Sequence, residues 1–153
     1  MIPRILLIVI AVVWAEPALA AEPLGEWLVA EKTAHIRLVD CMGALVGVVA
    51  WEKEGGVDAK NPDPRKRSRP TLGMPILLGM KPSGAGRWNG SIYNSENGKT
   101  YSGGVRVIDA THLRITGCIL GFLCGGETWT RTPPAASGEL AATDAVICAN
   151  GAS

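Results

Sequence analysis

Apolar residues recur at every second position over short stretches of this chain. After the first twenty residues no segment keeps an apolar 3.6-residue period beyond two turns. Nineteen glycines and ten prolines cut the pattern into pieces too short for long helices. Within 35–40, Ile36 and Leu38 point one way and His35 and Arg37 the other. Leu45 to Glu52 is apolar on both faces, as in a strand covered on both sides. Trp88 and Ile92 share a face against Tyr93; Tyr101, Val105 and Val107 share another; Leu113 and Ile115 continue inward. Asn97-Gly98 supplies positive φ values for a hairpin turn, Asp109-Ala110-Thr111 supplies a second turn, and Glu127 to Arg131 reads as a last strand. Short strands at close spacing with turns between them predict an all-β fold, a small antiparallel barrel or sandwich. Two stretches break the rhythm. Gly55 to Pro70 reads as a polar loop, and 132–153, rich in Ala, Pro, Ser and Thr, as a mobile tail.

The N-terminus carries a different signal. One positive charge, Arg4, precedes ten apolar residues from Ile5 to Trp14, and Ala18-Leu19-Ala20 follows. That order predicts a secretory signal over 1–20, cleaved before Ala21. Ten residues in a helix are too short for a bilayer core of ~30 Å, so no transmembrane anchor is expected after cleavage. The mature chain, 21–153, keeps a net charge of +1, since Arg4 and Glu16 leave together. That balance gives no reason to expect nucleic acid as a partner.

All four cysteines, Cys41, Cys118, Cys124 and Cys148, follow the signal, where export permits disulfides. Three connectivities are open. Cys118 and Cys124 flank five residues and suit a small loop; Cys41 is then left to Cys148.

Taken together, several stretches resemble one family. They are Asp63-Pro64, Arg67-Ser68-Arg69-Pro70, Gly73, Ile76 and Gly79; then Trp88-Asn89-Gly90, Ile92-Tyr93-Asn94 and Gly98-Lys99-Thr100-Tyr101; then Leu113, Gly117-Cys118 and Thr128-Trp129-Thr130-Arg131. Between about Gly25 and Arg131 the chain is similar to the exported bacterial family called domain of unknown function twenty-one forty-seven. The resemblance implies a lipocalin-like (calycin) β-barrel over 21–131, a periplasmic location, and no established activity. It also implies barrel closure by Trp27 on the first strand, with Arg131 lying over its ring, a cation–π contact of ~0.5–2 kcal/mol. Many relatives carry a second Cys shortly after the position of Cys41; Met42 to Gly47 has none.

Catalytic signatures are missing: there is no GxSxG, HExxH, phosphate-cradling loop or dinucleotide fingerprint. His35 and His112 read as solvated, and two separated histidines do not make a zinc site. Glu52 and Glu54 flank Lys53 at a strand end and read as exposed. No enzyme, metal or cofactor is expected. The basic run Arg65 to Arg69 has three readings: a solvated loop, an anion grip through Arg67 and Arg69, or a loop braced by pairing of either with Asp63. Trp51, Trp88 and Tyr101 are the aromatic candidates for lining a cavity. The expected function is a binding module for a small apolar or amphipathic ligand. The alternative is an envelope interaction protein with a filled core. The sequence fixes no oligomeric state.

Overall fold

The structure is a computed structural model that describes residues 21–151; the expected signal over 1–20 lies outside the described residues. Eight strands follow in order: β1 (Gly25–Leu28), β2 (Ala34–Cys41), β3 (Ala44–Glu52), β4 (Pro75–Gly84), β5 (Arg87–Asn94), β6 (Lys99–Asp109), β7 (His112–Ile119) and β8 (Leu123–Arg131). Each pairs antiparallel with the next. β8 returns to β1 through Trp27↔Arg131 and Leu28↔Thr130, so the sheet closes into an up-and-down barrel. A 3-10 turn, Pro64–Lys66, interrupts the long loop, and α1 (Asp144–Gly151) ends the described chain.

Two elements depart from the expectation. β4 has no counterpart among the strands expected from the sequence, where Pro75, Gly79, Pro82 and Gly84 look like breakers. In the barrel Gly79 takes φ +54 where pairing with β5 slips between Leu78 and Lys81, so an irregular strand absorbs them. The turn after β5 is a four-residue loop, 95–98, rather than a two-residue turn. Only Gly98 has a positive φ, +69, and its N–H donates to Asn94 O at 2.8 Å.

Alternation assigns the inner face, but the two halves of the interior differ. Near the 42–43, 85–86 and 110–111 turns the barrel is packed with side chains: Trp27, Leu38, Leu45, Leu77, Met80 and Leu113 are each 3 % exposed or less. Near the 30–33, 53–74, 95–98 and 120–122 connections the interior opens.

The outer face of β2 and β3 decides the fate of the C-terminus. Val39, Val46 and Val48 point away from the barrel interior, and leaving them wet forfeits several kcal/mol, about 1.5–3 for each large apolar side chain. Residues 132–151 run back over them instead of extending as a mobile tail. Thr132 N donates to Glu26 O and Leu140 N to Ala50 O; α1 lays Ile147 on the valines, and Cys148 joins Cys41 with a Cα–Cα distance of 5.4 Å. Arg37 clamps the crossing. Its guanidinium donates to Glu26 Oε1 at 2.8 and 2.9 Å, pairs with Glu139, and reaches the Leu140 and Ala142 carbonyls. His35, expected to be solvated, lies in this covered region, with its Nδ1 3.4 Å from Glu26 and its ring on Trp51.

Candidate ligand-binding site

The closed end is built on Trp27, whose indole is fully buried and donates to Pro23 O at 2.7 Å. Arg131 lies over that ring, with Cζ 4.1 Å from the centroid. Its three guanidinium nitrogens donate to the carbonyls of Ala110, Leu24 and Glu22. Gly25 (φ +105) makes the passage possible, since a Cβ there would stand 3.1 Å from the guanidinium. A stacked cation that satisfies three main-chain oxygens seals this end, with no carboxylate paired to it among the described residues.

The other end holds a cavity of about 970 Å³. Its floor is apolar: Ile36, Val49, Ile76, Ile92, Ile115 and Trp129. Gly117 of β7, which faces Gly125 of β8, leaves space at this end. A Cβ added at Gly117 would find only Ile92 Cδ1, at 3.9 Å. The rim is acidic, with Glu31, Glu52, Glu54 and Glu96 against Lys53. Glu127 reaches into the cavity from β8, where it accepts a hydrogen bond from Trp129 Nε1. Burial and the neighbouring Glu31 carboxyl push the Glu127 carboxyl above the ordinary glutamate range.

The aromatic candidates are scattered. Trp88 packs against the filled half of the core. Trp51 is outside: the bulge between His35 and Ile36 on β2 pairs it with His35, their rings 4.8 Å apart, under Gly138. Tyr101 stands near the rim and accepts from Asn97 Nδ2 at 2.8 Å. None of the three lines the cavity.

The basic run braces the long loop. Arg65 pairs with Asp63, Arg67 Nε donates to Asn61 O at 2.8 Å, and Arg69 pairs with Asp58 at 2.8 Å. Asp58 is fully buried; burial pushes its carboxyl up, but hydrogen bonds from Tyr93, Asn61 and Arg69 outweigh that and hold it below the usual range. The structure brings neither Arg67 nor Arg69 to the cavity mouth, and Asp63 takes Arg65, not Arg67 or Arg69, as its partner. Sequence reasoning passed over Asp58, Glu31 and Glu127. Asp58 lies in a loop of solvated composition, and Glu127 shares an alternation with Trp129 that points both inward.

Both disulfides exist, Cys41–Cys148 and Cys118–Cys124; the second links residues that face each other across β7 and β8. Among the described residues no group of His, Cys, Asp or Glu is arranged to hold a metal, and no helix is long and apolar enough to cross a membrane.

Comparison with known proteins places this geometry. No curated protein matches the sequence. A solved structure from Helicobacter pylori, described as a protein belonging to the lipocalin family, superposes with a TM-score of 0.68 at 23 % identity. The match covers 73 % of this chain and 84 % of that one, and it shows the barrel fold. The family described as "uncharacterized protein conserved in bacteria (DUF2147)" matches residues 25–131, β1 through β8. The chain belongs to that family, on a lipocalin-like barrel sealed at one end and open at the other.

Proposed function

We propose that this protein is an exported binding module whose barrel takes a small apolar or amphipathic ligand, apolar part on the floor and polar end at the acidic rim. The observation that carries the reading is the cavity: about 970 Å³, apolar below and polar above, at one end of a closed eight-stranded barrel. Small-molecule sites are typically ~300–1,000 Å³ with apolar walls and few polar groups. Barrels of eight strands are wide enough to hold one small ligand. Two disulfides support an oxidising compartment, in keeping with export to the periplasm. The rim's excess of carboxylates favours a neutral or cationic polar end, because like charges repel across a low-dielectric mouth.

The test is displacement of the neutral fluorophore N-phenyl-1-naphthylamine by dodecanol, dodecylamine and dodecanoate. The fluorophore should bind the wild type, the alcohol and amine should displace it, and the carboxylate should be weakest. Gly117→Leu intrudes on the apolar floor of the cavity and should weaken binding without unfolding the barrel. Equal binding by Gly117→Leu, or none by the wild type, overturns the reading. A second reading, an envelope interaction protein, draws on the tip between β7 and β8, where Leu120 and Phe122 are 80 % and 71 % exposed. It predicts that Leu120→Ser with Phe122→Ser leaves fluorophore binding intact and abolishes association with a partner.

A further inference from the structure

The outer face of β5 to β7 has a charge pattern that neither folding nor the cavity uses. Register sets Arg87 opposite Arg106, and Arg106 opposite Arg114, on three adjacent strands. Inward neighbours Trp88, Val105, Leu113 and Ile115 fix the three guanidiniums on the outside. With strands about 4.8 Å apart, the row spans roughly 10 Å. Like charges placed directly opposite one another destabilise a sheet. None of the three has an ion pair or side-chain hydrogen bond among the described residues, unlike Arg37, Arg65, Arg69 and Arg131. Arg114 exerts only a minor pull on Glu127, which points to the other face.

The next two cross-strand rows are polar and small: Asn89, Gly104, Thr116 and Gly126, then Ser91, Ser102, Cys118 and Cys124. They hold no acid, and Lys81 of β4 is opposite Asn89 and adds a fourth cation. Arg87, Arg106, Arg114, Asn89, Ser102 and Thr116 line a groove of about 490 Å³. Gly104 keeps it open, since a Cβ there would stand 2.9 Å from Asn89 Oδ1.

We propose that this face is a second binding site, for a multiply charged anion of the phosphate class, gripped by the Arg87–Arg106–Arg114 row. Guanidinium forks match phosphate oxygens in pairs, and Asn89, Ser102 and Thr116 offer neutral donors beside them. The bound anion removes the cross-strand repulsion, which is why the row is tolerated.

The test uses the full mature protein and inorganic tripolyphosphate, titrated calorimetrically at low and moderate salt. Binding should weaken steeply with salt and fall at least tenfold in Arg106→Gln. In the absence of anion Arg106→Gln should melt at or above the wild type, because it relieves repulsion. Tripolyphosphate should raise the melting temperature of the wild type and not of the variant. Sedimentation with vesicles of phosphatidylcholine, with and without phosphatidylglycerol, separates the sources. Pelleting with the anionic vesicles, reversed by tripolyphosphate, assigns a lipid head group; no pelleting assigns a soluble phosphate compound. Absence of tripolyphosphate binding, unchanged affinity in Arg106→Gln, or a variant that melts well below the wild type overturns the proposal.

Discussion

The two ends of the barrel are made from the same eight strands and the same alternation, yet one is solid and the other hollow. At the sealed end a Trp, an Arg and several Leu and Met side chains meet, and the cation is satisfied by three main-chain carbonyls. At the open end Gly117 leaves room above an apolar floor, and carboxylates outnumber cations among the lining side chains. Alternation therefore assigns a side chain to a face and says nothing about how far it reaches. Side-chain volume at the inward positions decides whether a barrel this size is a core or a container.

The largest effect that checks this contrast is expected from Trp27→Ala. Removing a fully buried indole from the packed end should cost about 3–5 kcal/mol in a urea titration. Trp129→Ala, whose ring borders empty space, should lose clearly less; an equal loss would break the contrast. Arg69→Ala comes next, because it strips the buried Asp58 carboxylate of its cation. A loss of about 3 kcal/mol is expected, against about 1 for Arg67→Ala, which gives up a single hydrogen bond. Differential scanning calorimetry of the two variants reads this directly; equal shifts would contradict the pairing seen here.

The same carboxylate sets an acid limit. The folded-state value of Asp58 lies below its ordinary 3.8. Its stabilisation is thus complete above that value and is lost as pH falls below it. Asp58→Asn should be less stable than the wild type at pH 7, and the gap should narrow on acidification. The smallest effect is expected at the open end and has the opposite sign. Glu127 has a folded-state value raised above its ordinary 4.5, so its ionised form opposes folding above that raised value. Glu127→Gln should melt slightly higher than the wild type at pH 7, and the gain should vanish below the ordinary glutamate value. A lower melting temperature at pH 7 would mean that the carboxylate is paired, not exposed to a ligand.

Legibility varied with how local the physics was. Strands β2, β3, β5, β6 and β7 were readable because their alternation is a local property of the chain. β4 was not, since its prolines and glycines are tolerated only through a bulge that the neighbouring strands define. Trp51 shows the same limit: counting by twos along β3 puts it with Val49 on the inner face, and one bulge moves it outside. The basic run between Arg65 and Arg69 drew an anion grip as one of its three readings because it is contiguous. Three arginines spread over residues 87 to 114 escaped notice because only register makes them neighbours.

By itself the sequence determined the all-β class and the candidate cysteine pairs, because these rest on residue order, spacing and periodicity; its motifs carried the family resemblance, and that resemblance implied the Trp27–Arg131 closure. Only the tertiary structure decided that the C-terminal segment seals the valines of β2 and β3, that Glu127 faces a cavity, and that Arg87, Arg106 and Arg114 form one row. Each of those depends on which residues of distant strands meet, and that is set by register and closure of the whole sheet.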